Sequence, residues 1–153
     1  MIFEGINNQS VELKITNYQF PETNNREWDG NWLNIYLKVK SDMGHWQTID
    51  PALTTWEVQD FIDWLTTLSK NEKPKWIDLG FTEPNLSFEL LNQESDNTKL
   101  IRIKFNLESR PKSAKNDLEY FVDIKADNYK LEIYAFNLKK ELAKYPERKE
   151  KVE

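Results

Sequence analysis

Cysteine is absent from this sequence, which excludes disulfides, zinc–thiolate sites and thiol nucleophiles from whatever the chain does. Histidine occurs once, as His45. Any serine–histidine–aspartate arrangement would have to use it, yet His45 follows a turn and opens a strand, where a solvated histidine is the ordinary outcome. Glycine is scarce too: four scattered glycines build no phosphate-cradling loop, and no serine sits in a nucleophile elbow. Long apolar runs are missing, with none of the roughly 18 consecutive residues that a membrane span needs. Met1 to Ser10 carries Glu4 and two asparagines where a secretion signal needs a basic start and an apolar stretch. These lacks lead to the expectation of a cytoplasmic, non-enzymatic protein that works without cofactor or metal and does not enter a membrane.

What is present describes a polar surface around a real core. The 153 residues are 39% hydrophobic and 31% charged, and a chain of this length buries enough surface for one domain but not for two. Residues 1–146 are expected to form that domain, and the charged stretch 147–153 to fray. Six tryptophans raise the aromatic share to 13%, so much of the apolar area lies in rings that pack in cores or anchor interfaces. The net charge of −5 hides an asymmetry: residues 1–98 hold 16 acids against 7 bases, and residues 99–153 hold 10 against 14. An acidic majority repels nucleic acid and attracts basic proteins.

Hydropathy alternates with a period of two through Val11, Leu13 and Ile15, and again through Leu33, Ile35, Leu37 and Val39, as in strands buried on one face. Ser41 to Gly44 reads as a hairpin turn, with His45 to Ile49 returning. Thr54 and Glu57 stand at capping-box spacing before an apolar stripe of Val58, Phe61, Ile62, Leu65 and Leu68, which predicts a helix ending near Asn71 to Pro74. Further strands are expected near Lys75–Leu79, Leu86–Gln93, Lys99–Leu107 and Leu118–Lys125. Leu131, Tyr134, Leu138, Leu142 and Tyr145 predict a second helix that Pro146 stops. Its first part, residues 128–136, also alternates well enough for a strand, so the helical pattern is firmest from Phe136. The fold class that follows is α+β: a mainly antiparallel sheet of about six to seven strands with two amphipathic helices packed on one face.

Chemistry has few candidates. Carboxylate pairs such as Glu27 with Asp29, or Glu57 with Asp60, could in principle serve glycoside hydrolysis, but 26 acids in the chain make such neighbours commonplace. Residues 27–31 offer too few oxygen ligands for calcium. Arg102 and Lys104 on a strand face, with the lysine-rich last helix, hint at nucleic acid, but Glu132, Glu141, Glu147, Glu150 and Glu153 dilute that basic end. The sharpest candidate is a partner-binding set of Glu27, Trp28, Asp29, Trp56, Glu57 and Asp60, an aromatic anchor ringed by acids and suited to a basic protein surface.

An ordered series of short motifs adds to this. Asp29-Gly30-Asn31-Trp32-Leu33, Gly44-His45-Trp46, Asp50-Pro51-Ala52-Leu53-Thr54 with Glu57, and Trp64-Leu65 are followed by Phe81, Glu83-Pro84-Asn85-Leu86, Phe88 and finally Tyr145-Pro146 with Arg148. In this order they resemble the WapI-type immunity proteins over nearly the whole chain. The resemblance implies an antitoxin of bacterial competition that binds the C-terminal domain of a wall-associated or contact-dependent toxin, often a nuclease, and blocks it stoichiometrically. It transfers no toxin-contacting residue by motif. The alternative from the residues alone is a non-catalytic ligand- or protein-binding module with another partner.

Overall fold

A computed structural model of the protein describes residues 1–23, 28–95 and 97–149. The alternating segments of the first third pair as β1 (Ile2–Glu4), β2 (Ser10–Tyr18), β3 (Trp32–Ser41) and β4 (Gly44–Thr54), an antiparallel sheet in chain order. Register follows the apolar pattern: Val11 faces Val39, Leu13 faces Leu37 and Ile15 faces Ile35, and all six are buried. Gly44 closes the β3–β4 turn at φ +130°, a backbone angle that side-chain-bearing residues rarely adopt. The second sheet is also antiparallel and ordered by sequence: β5 (Asp78–Leu79), β6 (Leu86–Ser95), β7 (Thr98–Phe105) and β8 (Tyr120–Asp127). Ile103 there stands between Phe88 and Val122.

The single sheet of six to seven strands expected from the sequence is therefore two sheets of four. Helix α1 (Thr55–Ser69) follows β4 directly and carries the chain away, so the later strands pair among themselves. β1 escaped the periodicity because three residues are too few to show one. The two sheets touch at one edge, where Gly5 bridges to Ile124. A Cβ on Gly5 would stand 2.8 Å from Val122 Cγ1 and 2.9 Å from the Gln9 carbonyl oxygen, so the close approach demands glycine.

Helix α1 starts where the capping box predicts. Thr54 Oγ1 accepts from the Glu57 amide at 3.3 Å and Glu57 Oε2 accepts from the Thr54 amide at 2.9 Å. The stripe Val58, Phe61, Ile62, Leu65 and Leu68 is buried throughout, joined by Trp64, whose indole N–H donates to the Trp76 carbonyl at 2.7 Å. Helix α2 spans Asn128–Leu142, which settles the helix-or-strand ambiguity. Asp127 caps it by accepting from the Lys130 amide at 2.7 Å, and Leu131, Tyr134, Ala135 and Leu138 lie buried at helical steps. Lys99, only 1% exposed, donates to Asn71 just beyond α1 and to Asn128 at the start of α2, tying the two helices to β7.

Four rings show that these layers share one core. Phe3 of β1, Phe61 of α1, Phe88 of β6 and Tyr134 of α2 meet, with Phe61 stacked on Phe88 at 4.0 Å and Phe3 edge-on to Tyr134 at 4.8 Å. Elsewhere the expected strands shorten. The one near Lys75–Leu79 reduces to Asp78–Leu79, the next-to-last ends at Phe105 because Leu107 turns at φ +50°, and the last begins at Tyr120, leaving Leu118 exposed. Phe121, on the outer face of β8, is covered by the Arg102 guanidinium at 3.8 Å. Residues 150–153 of the expected frayed tail lie outside the described residues, whereas Arg148 is held by several hydrogen bonds.

Candidate functional site

Of the six residues singled out from the sequence, the five that the structure describes do not line one cleft. Glu27 lies outside the described residues. Trp28 is half exposed and meets Trp56 edge to face, ring centres 4.8 Å apart. This pair is placed by Asn31, which is buried and accepts from the Thr55 hydroxyl at 3.2 Å, locking the short 3-10 turn Trp28–Asn31 onto the first residue of α1. Asp29 is exposed at the same turn but faces a different cleft.

Glu57 is placed unlike the other described acids of the set. It is 6% exposed, with Oε2 on the Thr54 amide and Oε1 on the Thr82 amide at 2.7 Å. Capping the helix and tying the β5–β6 connection to it employ both oxygens, so this carboxylate is a structural brace rather than part of an acidic ring. Asp60 is exposed, but it lines a cleft of about 370 Å³ with Asp63, Lys75, Trp76 and Asp78. Burial and then Asp63 push its carboxyl upward, with Lys75 opposing. Asp78 is paired with Lys104 at 3.0 Å. That cleft is of mixed sign.

The acidic surface is assembled elsewhere. Asp29, Asp50, Glu83 and Glu108 line a cleft of about 490 Å³ together with Phe20 and Trp32, and among the described residues no lysine, arginine or histidine lines it. Each acid arrives from a separate segment. Asp29 stands on the turn before β3, and Asp50 on β4 just before the bulge opposite Leu33 and Asn34. Glu83 comes from the β5–β6 connection, and Glu108 from a 3-10 turn, Leu107–Ser109, that the Trp46 indole N–H fixes by donating to the Ser109 carbonyl at 2.9 Å. Asp50 accepts from Asn85 Nδ2 at 2.6 Å. Burial above all, then the charges of Glu108 and Glu83, hold its carboxyl above the usual carboxylate range despite that hydrogen bond. Phe20 is 47% exposed at the rim. Sequence reading missed Phe20, Asp50, Glu83 and Glu108 as a group, because residues so distant in the chain meet only through the tertiary fold.

Other chemistries find little support in the geometry. Arg102 is bound in two-pronged fashion to Asp123 at 2.8 and 3.0 Å, and Lys104 pairs with Asp78 and Glu89, so the two cations suggested for nucleic acid are both neutralised. Among the described residues no group of three or more histidine, cysteine or acidic side chains is arranged to hold a metal ion, and no helix is long and apolar enough to cross a membrane.

Comparison with protein families matches residues 1–146 to the immunity protein WapI-like family. The chain belongs to the WapI-like immunity protein family. Such proteins are generally non-catalytic, and membership implies a toxin as binding partner. No curated protein and no solved structure matches the chain.

Proposed function

We propose that this WapI-like immunity protein neutralises the C-terminal domain of a wall-associated or contact-dependent toxin by covering a basic surface on it, and that the toxin is a nuclease. The observation that carries this reading is the convergence of Asp29, Asp50, Glu83 and Glu108 around Phe20 and Trp32, with no base lining the cleft among the described residues. Four like charges gathered in one cleft repel one another, and a cation from a partner relieves that repulsion as it docks. A nuclease carries such cations because its substrate is a polyanion. Negative potential would speed the encounter, while the exposed Phe20 and the Trp28–Trp56 pair provide the desolvated anchors that slow dissociation.

Co-expression tests the reading directly. Cells producing the toxin domain encoded beside this gene should survive when the immunity protein is present, and the two proteins should co-purify at one to one. Continued killing together with absence of a complex would overturn it.

A further inference from the structure

The chain does not end its structural role at Leu142. Beyond α2 it turns back over the first sheet, where the Tyr145 hydroxyl donates to the Thr16 carbonyl at 3.0 Å and the Tyr18 hydroxyl donates to the Pro146 carbonyl at 2.5 Å. The two rings pack edge to face at 5.5 Å. This strap delivers Arg148 to the connection between β2 and β3. Its guanidinium lies 3.7 Å over the Tyr18 ring. Nη1 donates to the carbonyls of Phe20 at 2.9 Å, Gly30 at 3.3 Å and Thr23 at 3.4 Å, and Nη2 to that of Pro21 at 3.1 Å. The Arg148 backbone adds a two-way clasp on Asn31, donating to its Oδ1 at 2.8 Å and accepting from its Nδ2 at 3.0 Å.

Both flanks of the connection are thus gathered onto one side chain. Carbonyl oxygens converging from Phe20, Pro21, Thr23 and Gly30 repel one another unless a cation sits among them. Among the described residues no carboxylate pairs with Arg148. A guanidinium suits this place because its planar fork carries five donors and can stack on a ring at the same time, whereas an ammonium has three donors and no plane. The side chains that these flanks turn outward are Phe20, Trp28 and Asp29, which are the rim of the acidic cleft and half of the indole pair.

We propose that Arg148 is the positioning residue of the partner-binding surface: by binding the carbonyls on both flanks of the β2–β3 connection it fixes how Phe20, Trp28 and Asp29 are presented to the toxin. The recognition half of this statement rests on the antitoxin reading, and the positioning half concerns the free protein. Arg148 is not among the residues that line the cleft, so its effect on binding is transmitted through the flanks whose carbonyls it holds.

The test uses the full chain with Arg148→Lys and Arg148→Ala, read in three ways. Hydrogen exchange at the Thr23 amide, which donates to the Phe20 carbonyl, should quicken at least ~10-fold in both variants while the core amides of β3 and β7 keep their protection. Near-ultraviolet circular dichroism should lose the signature of the Trp28–Trp56 pair. Against the toxin domain encoded beside the gene, the lysine variant, which keeps the charge, should associate at the native rate and dissociate at least ~10-fold faster. Native exchange in the lysine variant overturns the positioning role, and loosened flanks with native dissociation overturn its bearing on recognition. If the unaltered protein does not bind the toxin at all, the antitoxin reading falls and the recognition half with it, while hydrogen exchange still decides whether Arg148 fixes the connection.

Discussion

Glu57 and Asp50 are both drawn away from water near the start of α1, yet their surroundings differ in kind. Glu57 is met by two backbone amides, one from its own helix entrance and one from the β5–β6 connection, so its negative charge completes donors that would otherwise be orphaned. Asp50 receives one side-chain amide and faces Glu108 and Glu83, so its charge adds to a field of the same sign. A buried acid surrounded by donors holds a fold together. A half-buried acid surrounded by acids leaves a repulsion that a partner's cation can relieve. The same contrast is invisible to a count of acids near tryptophans along the sequence, which does not tell a buried carboxylate such as Glu57 from a half-buried one such as Asp50.

The largest effect should come from the brace. Glu57→Ala is expected to cost roughly 2–3 kcal/mol of stability, since it removes the reciprocal cap and leaves the buried Thr54 amide without a partner. Urea denaturation reads this directly, and an unchanged midpoint would erase the distinction between the two acids. On the other side of the comparison, reversing Glu83 and Glu108 to lysine together should slow association with the toxin by about 10-fold at low salt and flatten its salt dependence, with little change in the unfolding midpoint. Stopped-flow mixing at two ionic strengths checks it. A next, smaller effect belongs to the brace again: Thr54→Ala removes only the threonine half of the capping box and is expected to cost about 1 kcal/mol, leaving toxin kinetics as they were. Slower association in that variant would mean that the helix entrance itself meets the partner.

The elements of the fold were legible wherever one face alone was buried. Leu33 to Val39, Val58 to Leu68 and the Thr54–Glu57 cap all stand where the pattern puts them, because local periodicity and capping chemistry act within a few residues. The division into two sheets was not legible. It depends on Gly5 meeting Ile124 and on which strands α1 separates, and neither leaves a trace in periodicity. The site was legible in kind but not in place. Acids beside rings were the pattern sought, and of the residues it named Trp28 and Asp29 are exposed while Trp56 is half-buried. But Asp50 and Glu83 had been read only as members of short motifs, and Glu108 not at all. The hydrogen bonds of Arg148 were not legible for the same reason: a run of charges looks solvated until the carbonyls that receive one of them have been brought together by the fold.

The smallest expected effect is also the one that separates the two acids most cleanly. Because its folded-state pKa lies above the ordinary value of 3.8, ionised Asp50 opposes folding at neutral pH. That opposition fades as the pH falls through the raised value and is gone below the ordinary one, where the folded and unfolded chains are both protonated. Asp50→Asn keeps an acceptor for Asn85 and removes the charge, so the variant should be more stable than the native protein by roughly 0.5 kcal/mol near pH 7. The difference should shrink to nothing in acid. Denaturation curves for the pair at several pH values between neutral and about 3 follow the whole course. The variant should at the same time bind the toxin more weakly, since the repulsion that docking relieves has been reduced in advance. If Asp50→Asn instead proves less stable at neutral pH, the hydrogen bond from Asn85 outweighs burial together with the charges of Glu108 and Glu83, and Asp50 joins Glu57 as a brace; the acidic cleft would then have to act through Asp29, Glu83 and Glu108 alone.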